Sequence, residues 1–229
     1  MSDCFLLGTL ISLRSPLLPD DVQKGGWHLW FNDIKITEYL EHGVRPVDAA
    51  DEVGILENAV KSPSNLIFAI VSNENQKLIG TISLKAINHI QRRAEIALVM
   101  GKESFPGAAL EAMALMTKHA FDRLNLQKLY AGQHQDLWKW VNTLGTIGYA
   151  IEGYRQDYGY RNGKPYGALL TGITAHRFYE LQVARGGDVL CGDPLKTAKT
   201  RSSKNPTQQL KQFLDLLSSE LVSEKNEGQ

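Results

Sequence analysis

Ala94-Glu95-Ile96-Ala97-Leu98-Val99-Met100, running into Gly101-Lys102-Glu103-Ser104-Phe105-Pro106-Gly107-Ala108-Ala109-Leu110-Glu111-Ala112, decides how this chain folds. The apolar run reads as a buried strand and the Gly- and Pro-containing stretch as a tight turn. The Ala-rich stretch after it reads as a helix whose first turn carries almost no side-chain bulk. The first amides of a helix have no partner within it and carry the positive end of the helix dipole, so a small-residue start lets a phosphate approach the backbone. Close packing alone also selects small residues there, and many α/β proteins contain one such unit. The elements on either side decide its meaning.

Downstream, the helix spans about 107–124, with Leu110, Met113, Met116, Phe121 and Leu124 on a wide apolar face. Lys128-Leu129-Tyr130-Ala131-Gly132-Gln133-His134 follows as a strand. A strand-helix-strand crossover makes it parallel to the strand before the helix. A shorter helix at about 137–146 precedes a hairpin, Ala150–Tyr160 against Pro165–Thr174 across Arg161-Asn162-Gly163-Lys164. Upstream, Leu66–Val71 and Leu78–Leu84 flank the polar turn Ser72-Asn73-Glu74-Asn75-Gln76 and form an antiparallel pair. Before them come a first strand at about 6–14 and a helical insert, whose second helix covers about 48–61 with Val53, Leu56 and Val60 at helical spacing.

The 229 residues, 43% hydrophobic, suffice for one core and an appendage. Equal numbers of basic and acidic residues, 25 each, provide no global field for nucleic acid or an anionic membrane, so neither is expected as a partner. Asp3 before the apolar opening, with no basic residue preceding it, argues against a secretory signal, and no apolar run nears the ~20 residues that span a bilayer. Cys4 and Cys191 show neither disulfide nor zinc spacing, and the six histidines contain no ligand cluster. A reducing cytoplasm and no metal are expected. Residues 184–206 have the composition of a linker, which sets a domain at 1–183. A C-terminal amphipathic helix is expected at 207–224, presenting Leu210, Phe213, Leu214, Leu217 and Leu221 for docking on the domain, on a second copy as a homodimer, or on a partner.

The succession of elements over residues 5–182 resembles the GNAT N-acetyltransferase superfamily, in the branch of ribosomal-protein, polyamine and amino-sugar acetyltransferases. Leu10-Ile11-Ser12-Leu13-Arg14, Leu78-Ile79-Gly80-Thr81-Ile82, Ala94-Glu95-Ile96-Ala97 with Gly107–Ala112, and Gly148-Tyr149-Ala150-Ile151-Glu152-Gly153 carry the match. The resemblance implies an α/β (α+β) fold: a mixed, mostly antiparallel sheet of six to seven strands with a central parallel splay and flanking helices. It also implies acetyl-CoA as co-substrate and direct transfer to a primary amine in a ternary complex. Trp30-Phe31-Asn32-Asp33 with Ile36, Tyr39 and Leu40 is similar to a segment of nucleotide-linked amino-sugar acetyltransferases, which makes an amino sugar the first expected acceptor. A protein or peptide N-terminus or a polyamine is the alternative, and a non-catalytic acyl-CoA-binding module is the second.

The family's pyrophosphate motif, Q/R-x-x-G-x-G/A, falls on Ser104, Phe105, Pro106, Gly107, Ala108 and Ala109. Ser104 replaces the usual Gln or Arg, and Pro106 removes one N–H donor. Pantetheine is implied along Leu98, Val99 and Met100, where a backbone N–H would face the negative charge that develops on the thioester oxygen. The attacking amine must be neutral, so a base is needed. Glu95 is the leading candidate, its structural alternative being an ion pair with Arg92 or Arg93; His134 is the next. The family's proton donors to the leaving thiolate fall here on Leu137, Trp140 and Leu144, none of which donates, which leaves water or Tyr149. His28, Trp30 and Asn32 of the insert and Tyr154 and Tyr166 of the last hairpin are the candidate acceptor contacts.

Overall fold

The computed structural model describes residues 4–41 and 43–226, with backbone alone for 220–226. Strand β1 (Leu6–Leu7) turns back into β2 (Ile11–Arg14), pairing Leu6 with Leu13 and Leu7 with Ser12. The single strand expected over 6–14 is therefore a hairpin, and the sheet gains an eighth strand. Its turn is fixed by a distant carboxylate: Glu111 accepts the N–H groups of Thr9 at 2.6 Å, Leu10 at 2.8 Å and Ile11 at 2.9 Å. Three backbone donors converging on one buried charge outweigh continuation of the strand.

The insert folds as four helices, α1 (Asp20–Gln23), α2 (Trp27–Phe31), α3 (Ile34–Thr37) and α4 (Ala49–Lys61). Asp48 starts α4 by accepting the Asp51 N–H at 2.8 Å, an N-cap that satisfies one orphan donor. Arg14 grips Asp21 in a buried two-pronged pair of 2.6 and 2.7 Å, tying the insert to β2. Trp27, Trp30, Val22 and Leu56 form a small core of their own against Ala69.

Strands β3 (Leu66–Ser72), β4 (Leu78–Asn88) and β5 (Arg93–Met100) continue the antiparallel half of the sheet. Helix α5 (Ala108–Asp122) crosses one face to β6 (Lys128–His134), which runs parallel to β5. After α6 (Trp138–Gly145), strands β7 (Ala150–Arg161) and β8 (Lys164–Thr174) close the sheet in the order β1-β2-β3-β4-β5-β6-β8-β7. Asn162 and Gly163, both at positive φ, make their two-residue turn, which matches the twist of the strands it joins. The main core lies between sheet and helices, with Ile11, Ile82, Met116, Leu129 and Phe178 almost wholly buried. Each such side chain contributes about 1.5–3 kcal/mol.

Beyond α7 (Ala175–Ala184), the stretch with linker composition is folded onto the domain instead of hanging free. Asp188 turns it by accepting the N–H groups of Leu190 and Gly192 at 2.9 and 2.6 Å. That turn drives Val189 and Leu190 into the main core, at 5% and 7% exposure. Helix α8 (Pro194–Lys199) follows, capped by Asp193 through the Lys196 N–H at 3.0 Å. The last helix, α9 (Thr207–Asn226), docks in cis, with Leu210 and Leu214 on Val141, Tyr154 and Leu169. Phe213 and Leu217, expected on the same face, are exposed, and the side chain of Leu221 lies outside the described residues. Among the described residues no helix is long and apolar enough to cross a membrane, and no group of three or more His, Cys, Asp or Glu gathers for a metal.

Candidate active site

Strands β5 and β6 pair over only three positions, Arg93 with Lys128, Ala94 with Leu129 and Glu95 with Tyr130. Beyond Glu95, β5 stays bonded to β4 as far as Met100 opposite Gly80, and β6 stays bonded to β8 as far as His134 opposite Ala168. The two strands therefore diverge, and the β5 edge from Ile96 to Met100 has no strand partner on the β6 side. Such an edge accepts an extended chain through backbone hydrogen bonds.

At the end of β5 the chain enters the small-residue turn. Ser104 N–H bonds Gly101 O at 3.2 Å and Ala108 N–H bonds Phe105 O at 3.3 Å. Among the described residues no acceptor meets the amides of Gly107, Ala109 or Leu110. Gly107 caps α5 at φ 92°, a left-handed conformation that a side chain disfavours, and a Cβ there would also strike Leu10 Cδ1 at 2.9 Å. These features make an anion cradle at the start of a 15-residue helix. Leu98 and Met100 are partly buried against the main core, as is Phe105, whereas Ser104 is exposed.

On the other side of Glu95 lies a cavity of about 650 Å³. Its walls come from three places: Tyr39 and Glu41 of the insert, Glu95, Tyr130 and His134 of the splayed strands, and Glu152, Arg155, Tyr158 and Tyr166 of the last hairpin. Insert and hairpin are latched together. Arg161 donates to the carbonyls of Thr37, Glu38 and Leu40, and Tyr158 donates to Glu41 at 3.1 Å.

Glu95 is half-buried and faces this cavity. Its alternative ion pairs are not formed among the described residues: Arg92 donates to Asn125 O at 2.8 Å, and Arg93 lies over the Tyr130 ring at 5.9 Å. His134 is packed against Tyr166, with ring centroids 4.4 Å apart, and Tyr39, at 5.0 Å. Burial pushes its pKa below the ordinary imidazole value, although Asp136 pulls the other way. Its Nδ1 accepts the Asp136 N–H at 3.2 Å. A neutral ring bonded in that way carries its proton on Nε2 and is a donor there, not a base.

The other expected residues lie elsewhere. Tyr149 is 3% exposed in the main core, its hydroxyl bonded to Thr117 Oγ1 at 2.8 Å and its pKa pushed far up by burial, so it does not share the cavity with Glu95. His28 bonds Val22 O through Nδ1 at 2.8 Å within the insert. Trp30 stacks on Trp27 and presses on Gly101, where a Cβ would fall 2.6 Å from its ring. Asn32 ties the Val47 backbone with bonds of 2.7 and 2.8 Å. All three hold the insert in shape and are not among the cavity-lining residues. Tyr154 points into the small core beneath α9, with its hydroxyl on Gln135, while Tyr166 does line the cavity. The sequence reading missed Tyr130 and Glu152, for which the parallel pairing of β6 beside Glu95 and strand alternation around Gly153 are the available signals, and Glu41 of the insert, for which there is none.

The acetyltransferase (GNAT) domain profile matches residues 13–150 of this chain. Spermidine N(1)-acetyltransferase of Escherichia coli is 30% identical over 100 residues, 43% of this chain and 54% of that protein. The chain thus matches about half the length of that relative. Uncharacterized N-acetyltransferase YoaA of Bacillus subtilis is 26% identical over 150 residues, covering 64% of this chain and 85% of the relative. Among solved structures, spermidine N-acetyltransferase from Vibrio cholerae in complex with CoA and spermine has the same fold, with a TM-score of 0.67 at 20% identity over 75% of this chain and 99% of that one.

Proposed function

Because the chain belongs to the acetyltransferase (GNAT) family, we propose that it is an acetyl-CoA-dependent N-acetyltransferase whose acceptor is a small cationic polyamine. The unpartnered β5 edge at Leu98, Val99 and Met100 fits pantetheine. The amides of Gly107 and Ala109, beside Ser104, Phe105 and Ala108 and with glycine at the left-handed cap, fit the pyrophosphate. Bound there, acetyl-CoA supplies an acetyl group activated as a thioester.

The remaining chemistry falls to the chain. A primary ammonium has a pKa of about 10.4 and is inert as a nucleophile until it loses a proton. Glu95 has no ion-pair partner among the described residues, stands at the mouth of the splay and faces the cavity, so it takes that proton directly or through water. A β5 backbone N–H near Leu98 to Met100 meets the charge developing on the thioester oxygen. His134 packs against Tyr166 and forms part of the cavity wall that the amine meets. Leu137, Trp140 and Leu144 supply no proton, and a thiolate, with a parent pKa of about 8.5, leaves without one.

The observation that carries the polyamine reading is the cavity wall: Glu95, with no ion-pair partner among the described residues, Glu41 bonded by Tyr158 and Glu152 paired with Lys128 stand around the guanidinium of Arg155, with the aromatic faces of Tyr39, Tyr130, Tyr158 and Tyr166 between them. Carboxylates and aromatic faces attract a multiply charged ammonium and repel the diphosphate of a nucleotide sugar. The structural duties of Trp30 and Asn32 remove the main support for an amino sugar. Thiol release from acetyl-CoA at millimolar donor, with spermidine, a nucleotide-linked amino sugar and a peptide as acceptors, tests the choice. Spermidine is expected to give the highest kcat/KM; turnover of the sugar nucleotide or peptide with none of spermidine overturns it.

A further inference from the structure

We infer that the segment from Asp188 to Lys204 is a plug seated in the donor groove, and that the donor must displace it to bind. This rests on the acetyl-CoA reading of the cradle and β5 edge. The groove that such a donor needs runs from the start of α5 toward α6, over the splay between β5 and β6. The plug spans both of its banks. At one, the first turn of α8 rests on the cradle itself: the Leu195 N and Pro194 Cβ atoms lie 3.5 and 3.6 Å from the Cβ position of Gly107. At the other, Asn142 of α6 donates to the carbonyls of Ser202 and Lys204 at 2.9 and 2.8 Å. Between them Val189, Leu190 and Ala198 pack on the core that α5 and α6 share.

The plug is a folded object, not a passing strand. Thr197 donates to Leu190 O at 2.6 Å and its N–H bonds Asp193 O at 3.0 Å, while Asp188 gathers the amides of Leu190 and Gly192. Gly186-Gly187 on one side and Asn205-Pro206 on the other flank it, so it can leave as a unit. The space left around it agrees with this placement. The cavity of about 650 Å³ is at the acceptor end and is lined by none of residues 98–110. A second, of about 490 Å³, is wedged between Asn142 and Thr146 of the α6 region and Thr200, Arg201 and Ser202 of the plug. The acceptor end thus has open space, while at the other end Pro194 and Leu195 lie against Gly107.

Hydrogen exchange on the full chain, with and without saturating acetyl-CoA, tests the inference directly. Amides of 189–200 should exchange at least tenfold faster with donor bound, while those of 98–110 become protected. Donor binding that leaves 189–200 unchanged or more protected overturns the plug and makes the segment a wall of the site. In parallel, Asn142→Ala, which frees the far bank without touching the core, and Leu190→Asp, which ejects the buried anchor, should each lower the acetyl-CoA Kd at least tenfold in calorimetry. Unchanged Kd in a folded Asn142→Ala protein argues against the plug but leaves the donor reading standing. No saturable binding by the full chain or either folded variant at millimolar donor removes the donor reading and the plug with it.

Discussion

Glu95 is the last residue of β5 to pair with β6, so its carboxylate sits where the sheet opens and where the proposed donor edge meets the proposed acceptor cavity. Glu95→Gln keeps the size and removes the base. Its kcat should fall at least ~tenfold with the acetyl-CoA Kd unchanged; an unaltered kcat assigns the proton to another group. On the proposed reading His134 gives a separate, pH-dependent expectation. Protonated, it would add a positive charge to the cavity wall and weaken cation binding. Burial holds its pKa below the ordinary value, so that charge appears only at lower pH than the usual imidazole range near ~6.5. The KM for spermidine should stay flat as pH falls to about 6.5 and rise only below it. His134→Phe, which keeps a ring packed on Tyr166 but does not titrate, should abolish the rise; its persistence would place the titrating group elsewhere.

Among the elements, α5 has a second role beside its cradle: its Glu111 builds the first hairpin. Glu111→Ala would strand three backbone N–H groups at Thr9, Leu10 and Ile11 and should lower unfolding stability by about 2–4 kcal/mol, read as a drop in the denaturant midpoint. That contact also shows what sequence reading reaches. Elements with local signals were legible: the periodic face of α5, the Asn162-Gly163 turn, the apolar runs of β3, β4 and β5. The β1–β2 turn was not, because the residue that folds it lies about a hundred positions away. The site followed the same division. Glu95, His134 and Tyr166 were within reach because strand order and hairpin register bring them together. For Trp30 and Asn32, which pack on Trp27 and tie Val47, an aromatic or amide in a helical insert looks the same from sequence whether it faces a ligand or closes a core. The plug escaped notice because Gly, Asp and Lys give 184–206 a linker's composition, while only scattered residues, Val189, Leu190, Pro194 and Thr197, carry its burial.

For the molecule as a whole, zero net charge conceals a local imbalance, since the cavity gathers the three carboxylates of Glu41, Glu95 and Glu152 against Arg155 and the Lys128 that pairs with Glu152. Attraction of a polycation into it should weaken with salt, because the Debye length shrinks from ~10 Å at 0.1 M to ~3 Å at 1 M. The KM for spermidine should rise several-fold over that range while kcat holds; a salt-independent KM would mean that recognition is carried by the aromatic faces. The divergence of β5 from β6 also has a mechanical side. Seven residue pairs join β6 to β8, but only three join β5 to β6, so the sheet is two stiff panels held by a short parallel seam. Load applied across the strands would concentrate on Arg93, Ala94 and Glu95. The tear line of this protein therefore passes through the residue on which its chemistry is proposed to depend.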